Sequence, residues 1–141
     1  MQIISISVSL IFFFLSLLHF YWVCGGEAWS QKAIPEINGK PAFIPSKFIT
    51  VIVALALAAC GLVALALGFS PQLHITLLQY AIYIGWILAG IFFIRAIGDF
   101  NLVGFFKKIK GSEFAKYDTF LYSPLCLALS FVFSTLAYNQ T

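Results

Sequence analysis

The stretch that decides the fold is RAIGDFNLVGFFKKIKGSEFAKYDTFLYSPLC, residues 95–126. It holds five of the eight basic residues and three of the five acidic ones, between two long apolar segments. The whole chain is 62% hydrophobic and 9% charged, whereas soluble domains are about one quarter charged. A net charge of +3 without a basic face argues against nucleic acid as a partner. The composition therefore predicts an integral membrane protein.

Four apolar runs are long enough to cross a bilayer, because about 20 helical residues span its ~30 Å hydrocarbon core. We predict an all-α membrane protein in which one integral membrane domain, residues 1–141, forms a compact four-helix bundle. A cleaved signal peptide is the alternative for helix one, but no Lys or Arg precedes that run and no A-x-A site follows it. The predicted transmembrane helices cover approximately residues 3–23, 47–68, 75–97 and 119–138.

Helices two and three each carry a face of small residues, which lets helix backbones approach closely in lipid. We expect these two helices to pair as an antiparallel hairpin. The same faces could also receive a second copy of the chain or another membrane protein. The small residues are Ala54, Ala58, Gly61, Ala64 and Gly68 on helix two, and Ala81, Gly85, Ala89 and Ala96 on helix three.

The basic residues predict an orientation. All eight Lys and Arg residues lie in or beside the loops 24–46 and 98–118, and none lies at the opposite ends of the helices. Positive charge collects on the cytoplasmic side of membrane proteins. We therefore expect a multi-pass protein of the cell membrane with both loops in the cytoplasm and both termini outside.

The second loop contains a helical pattern. Leu102, Phe105, Phe106 and Ile109 recur at i, i+3, i+4 and i+7, with lysines on the other side. This predicts a short amphipathic helix, residues 101–110, in the loop between helices three and four, lying in the cytoplasmic headgroup layer of the membrane. Its lysines would face water and contact anionic lipid headgroups, which makes membrane lipid the expected partner. A plain charged loop is the alternative. The lysines are Lys107, Lys108 and Lys110.

Several short motifs resemble the domain-of-unknown-function 3995 family of small bacterial membrane proteins. The resemblance covers nearly the whole chain and implies a fold and a location, but no activity. The motifs are His19-Phe20-Tyr21-Trp22, Gly25-Gly26, Arg95-Ala96-Ile97-Gly98-Asp99-Phe100, Val103-Gly104-Phe105-Phe106-Lys107, Phe114-Ala115, Asp118 and Tyr122-Ser123-Pro124-Leu125-Cys126.

Four ionisable residues are predicted to converge at the cytoplasmic ends of the helices: His19, Arg95, Asp99 and Asp118. Such groups are costly near lipid, so they usually pair or serve a function. They could tie three helix ends together, or they could line a pocket for a headgroup or small ligand. Cys24, Cys60 and Cys126 form no CxxC pair and no metal-ligand spacing, and we predict neither a metal nor another cofactor.

These features leave three classes of function open. The first is a structural or accessory protein, or one that binds a lipid headgroup or small ligand at its cytoplasmic face. The second is a membrane-embedded enzyme acting on a lipid or quinone, with His19 transferring a proton, Arg95 binding an anion and Asp118 orienting the site. The third is a small transporter subunit that works as an oligomer.

Overall fold

The computed structural model describes all 141 residues and contains four helices long and apolar enough to cross a membrane. The prediction of an all-α, four-helix membrane protein is thereby confirmed. The first three spans lie within one residue of their predicted ranges. The helices are α1 (Gln2–Val23), α2 (Ser30–Ala33), α3 (Lys47–Gly68), α4 (Ile75–Ile97), α5 (Glu113–Tyr117) and α6 (Ser123–Tyr138), with a π-helical segment, Asp118–Tyr122, between α5 and α6.

The bundle consists of two antiparallel helix pairs, and α1 with α3 is the first. Buried serines of α1 donate hydroxyl hydrogen bonds to backbone carbonyls along the small-residue face of α3. Ser5 reaches the Ala64 oxygen at 2.7 Å, and Ser9 and Ser16 reach the oxygens of Gly61 and Ala54, each at 2.8 Å. Interhelical hydrogen bonds in membranes contribute about 0.6 kcal/mol each on average, so close packing provides much of the attraction.

The second pair is α4 with α6, where Ser130 donates to the Ala89 carbonyl at 2.8 Å. Helices α3 and α4 follow each other antiparallel and are in contact, as expected of a hairpin, but one small-residue face receives mainly α1 and the other mainly α6. At Gly68, for example, a Cβ atom would overlap the Ser5 side chain. Association with a second copy or another membrane protein through these faces stays a prediction.

A cluster of three phenylalanines joins the two pairs at mid-bundle. The Phe12 ring centroid lies 5.6 Å from that of Phe92 and 5.9 Å from that of Phe133. The Phe92 and Phe133 rings are stacked with centroids 6.0 Å apart. Phe12 and Phe133 have no exposed surface. Offset aromatic pairs of this kind contribute about 0.5–1.5 kcal/mol beyond area burial.

The segments 24–46 and 98–117 meet at one end of the bundle, which we call the loop end. Both termini lie at the other end, where the Gln140 side-chain amide donates to the Leu67 carbonyl at 3.1 Å. The first loop contains a small hairpin, β1 (Glu36–Ile37) with β2 (Lys40–Pro41), paired antiparallel. Its turn is Asn38-Gly39, in which both residues have positive φ, as a type I′ turn requires.

The predicted interfacial helix over residues 101–110 does not form, and this segment is a series of bends and turns. Several of its backbone N–H groups donate to acceptors other than the carbonyls that a helix would use. The Asp99 carboxylate accepts from the N–H groups of Asn101, Leu102 and Val103 at 2.8–3.1 Å. These hydrogen bonds lower the pKa of Asp99. The backbone N–H groups of Lys108 and Ile109 both donate to the Asn101 carbonyl and close the following turn.

The last span begins earlier than predicted, at Glu113 instead of residue 119. Ser112 caps it, since its hydroxyl oxygen accepts from the Ala115 N–H at 3.0 Å. The helix then widens into the π-helical segment just before Pro124, which stands in the first turn of α6. Proline has no N–H to donate to the preceding turn, and π-helical turns are often found at functional sites.

Candidate functional site

The centre of the loop end is Asp118, which is fully buried. Its Oδ1 accepts from Arg95 Nη2 at 2.9 Å, and its Oδ2 accepts from Lys107 Nζ at 3.0 Å and from the Gly104 N–H at 2.7 Å. Removal of a carboxylate from water is costly, and charge-assisted hydrogen bonds of this kind compensate for it. Asp118 therefore ties α4, the loop after it and the last span to one another. We call Arg95, Lys107 and Asp118 the ionic triad.

Lys107 is not at the lipid surface, and the prediction that it contacts headgroups was wrong. Only 3% of the residue is exposed, and its amine donates to the Gly104 carbonyl and the Thr119 hydroxyl in addition to Asp118. All three of its protons thus have acceptors. Lys108 and Lys110 are exposed, and their contact with headgroups stays a prediction.

Two glycines bring the loop close enough to reach Asp118. Gly98 has φ +89° and Gly104 has φ +90°, backbone conformations that disfavour other residues. The two residues pack backbone against backbone, and the Phe105 N–H donates to the Ala96 carbonyl at 2.9 Å. This contact places the Gly104 N–H on the buried carboxylate.

A cavity of about 650 Å³ opens beside the ionic triad. Of its 20 lining residues, 17 are hydrophobic, and two of these, Phe12 and Phe92, belong to the phenylalanine cluster at mid-bundle. Phe14 and Leu121 also line it and are more than half exposed, so the cavity opens sideways at the bundle surface. Its size is in the range of pockets that enclose small ligands.

The polar end of this cavity lies at the loop end and is formed by Arg95, His19 and Lys32. Arg95 Nη2 is bound to Asp118, whereas Arg95 Nη1 is buried and has no hydrogen-bond partner. Buried guanidinium nitrogens without an acceptor are uncommon and costly. Arg95 thus lines the cavity with a side chain that is one-third exposed, and one of its guanidinium nitrogens has no acceptor within the chain.

His19 lines the cavity but does not join the ionic triad. Its Nδ1 lies 2.7 Å from the Leu15 carbonyl, which can only accept, so Nδ1 carries the proton and Nε2 is left for another partner. The ring packs against Trp22 with centroids 4.7 Å apart. No hydrogen bond or ion pair joins His19 to Arg95, Asp99 or Asp118.

Of the four residues predicted to converge, the structure thus joins Arg95 directly to Asp118 and places His19 on the same cavity as Arg95. Asp99 lies elsewhere, since it is exposed and caps the loop backbone. The sequence reasoning missed Lys107 and Lys32 as members of the site. Lys107 lies in the motif that carries the family resemblance, so its place there was a signal, but its helical spacing suggested a surface position.

No group of three or more His, Cys, Asp or Glu side chains comes together as a metal site would require. The three cysteines are free: Cys24 is exposed, while Cys60 and Cys126 are half-buried. Cys126 lines the cavity close to Arg95.

The chain belongs to the family described as "Protein of unknown function (DUF3995)", whose model matches residues 12–133. The match includes every residue of the ionic triad and every cavity residue named above. No curated protein and no solved structure matches the chain.

Proposed function

We propose that this protein binds an amphipathic membrane lipid with an acidic headgroup in the cavity at its loop end. The observation that carries the proposal is Arg95, whose side chain is one-third exposed at the polar end of a cavity with mostly hydrocarbon walls and whose Nη1 has no hydrogen-bond partner. A headgroup oxygen would accept from this guanidinium, and the tail would lie along the apolar walls towards mid-bundle. Asp118 acts as a positioning residue, because it holds the guanidinium in place.

An enzyme that uses His19, Arg95 and Asp118 as proton donor, anion clamp and orienting carboxylate receives less support. Both oxygens of Asp118 are occupied by Arg95, Lys107 and Gly104, and none of its hydrogen bonds goes to His19. An orienting carboxylate would have to contact the group it orients. Binding requires only the free donor and the cavity.

Lipid binding can be measured with the protein's own tryptophans, because Trp22 and Trp29 line the cavity and Trp86 does not. In a Trp86→Phe background, dibrominated stearate should quench their fluorescence, and its uncharged methyl ester should quench far less. Arg95→Gln should weaken stearate binding about tenfold or more, as expected for a lost charged hydrogen bond.

Two controls accompany this measurement. Lys40→Gln removes an exposed loop cation and should leave stearate binding unchanged. Arg95→Lys retains the charge near Asp118, which separates loss of the headgroup contact from loss of the fold. Equal quenching by dibrominated stearate and by its methyl ester in the Trp86→Phe protein, which retains Arg95, would contradict recognition of an acidic headgroup.

We also propose that the loop end faces the cytoplasm and that both termini lie outside. The support is the placement of every Lys and Arg in or beside the segments that form this end. Cys24 is exposed in the first loop, whereas the other two cysteines are half-buried in helices. A membrane-impermeant maleimide should therefore label inside-out vesicles and not intact cells, and a Cys24→Ser variant should lose that labelling. Labelling of intact cells would reverse the orientation.

A further inference from the structure

Lys32 is a second cation on the same cavity, and the chain provides no counter-charge for it. Its amine donates to the Tyr117 hydroxyl at 3.3 Å and lies 5.1 Å from the centroid of that ring. The hydroxyl and the ring of Tyr117 are uncharged, and the only ion pairs in the structure are those of Asp118. A half-buried lysine without a carboxylate, at the edge of an apolar cavity, is a position for an anion.

The backbone around Lys32 is held in place by hydrogen bonds. The Tyr122 hydroxyl donates to the Lys32 carbonyl at 3.0 Å, and Trp22 Nε1 donates to the Ala28 carbonyl at 2.8 Å. The rings of Tyr117 and Tyr122 are stacked with centroids 6.3 Å apart. Tyr117 contacts Lys32, and the next residue, Asp118, binds Arg95. Consecutive residues therefore place the two cations at the same end of the cavity.

The net charge at the polar end of the cavity is positive. Asp118 is shared between Arg95 and Lys107, so the ionic triad carries a net charge of +1. Lys32 adds a second positive charge, and no Asp or Glu lines the cavity. A carboxylate headgroup would bring only one negative charge. A phosphate monoester carries about −1.5 to −2 near neutral pH and three acceptor oxygens, which matches both cations.

The apolar part of the cavity limits the tail. A volume of about 650 Å³ is in the range that encloses one small ligand, so the cavity accommodates one chain, and a second chain would have to lie outside its lateral opening. Resting on the lipid-binding function proposed above, we infer that the ligand is a single-chain lipid phosphate monoester, whose phosphate is held jointly by Arg95 and Lys32. Lysophosphatidate and isoprenyl monophosphates share this chemistry.

The inference is tested by displacement of dibrominated stearate from the Trp86→Phe protein. Lauryl phosphate and laurate have the same chain and differ in headgroup, and we expect the phosphate to displace at a concentration at least about tenfold lower. Lys32→Gln should remove this preference by weakening lauryl phosphate binding more than laurate binding, because Arg95 remains for a single carboxylate. Lys40→Gln is the matched control and should keep the preference. Thermal unfolding of each variant verifies that it is folded.

Different results separate this inference from the function on which it rests. Equal displacement by lauryl phosphate and laurate, or a preference for the phosphate that survives Lys32→Gln, overturns the phosphate assignment. In either case, laurate binding that depends on Arg95 still upholds the proposed function. Failure of every acidic lipid to displace or quench overturns both. Inorganic phosphate acting as well as lauryl phosphate overturns the role of the tail. Tight displacement by lysophosphatidate or by geranylgeranyl monophosphate supports the class, and the tighter one identifies its source.

Discussion

Replacing Asp118 by asparagine is expected to destabilise the protein by about 3–5 kcal/mol, as removal of one member of a buried ion pair does. The carboxylate accepts from three donors, on Arg95, Lys107 and Gly104. An amide of the same shape offers one acceptor oxygen, and its NH₂ group would face donors on the other side. The Asp118→Asn protein would also retain two cations that no longer have a counter-charge. Thermal unfolding in detergent measures the loss.

Glu113→Gln is the matched control, because Glu113 is exposed in the same span and has no ion-pair partner. We expect it to cost less than about 1 kcal/mol, which is the size of an exposed helix-dipole effect. A second variant, Asp118→Asn combined with Lys107→Met, removes one of the two uncompensated cations and should recover part of the stability. If the Asp118→Asn protein unfolded at the same temperature as the parent protein, the ionic triad would not hold the loop end together.

The second large effect is expected at Gly104. An alanine there would adopt φ +90° and its Cβ would overlap the Ile97 carbonyl and the Gly98 Cα. The loop could relieve this only by moving away from α4, which would pull the Gly104 N–H from Asp118. We expect Gly104→Ala to cost at least about 3 kcal/mol, at the upper end of single substitutions. Denaturant or thermal unfolding measures the change.

Substitution of Gly111 separates the two causes of the loss expected for Gly104→Ala, which are the positive φ and the overlap of the Cβ atom with the neighbouring backbone. Gly111 also has positive φ, at +108°, but a Cβ atom there would meet nothing within 4 Å. Gly111→Ala should therefore cost only the conformational term, about 1–2 kcal/mol. Similar losses in the two variants would mean that the close contact between residues 97–98 and 103–104 contributes nothing.

Much of the fold could be predicted from hydropathy, since the length of each apolar run sets the length of a span. The choice of helix partners could not, because small-residue faces are complementary to any helix that can approach them. In the structure, the hydroxyls of Ser5 and Ser9 join α1 to carbonyls of α3, and the hydroxyl of Ser130 joins α6 to a carbonyl of α4. The buried serines of the first and last helices all lie on the inward faces: Ser5, Ser9, Ser16, Ser123 and Ser130.

The loop between α4 and α5 was the hardest part to predict. Its apolar spacing is that of a helix, but Asp99 takes the amides that a helix would need and Gly98 and Gly104 turn the backbone back on itself. These effects depend on a carboxylate and a fold contact, and neither contributes to a hydrophobic period. Lys32 was missed for a similar reason: only the folded chain brings it to Tyr117.

The ionic triad has a consequence for how the chain enters the membrane. Asp118 stands near the start of the last apolar span, and the cost of inserting an unpaired aspartate there is at most the value of about 2.5–3.5 kcal/mol found at a helix centre. Arg95 and Lys107 both precede it in the sequence and are therefore synthesised first. By the time the carboxylate leaves the ribosome, both of its cations have already been made, so the last helix can partition into lipid with its charge neutralised.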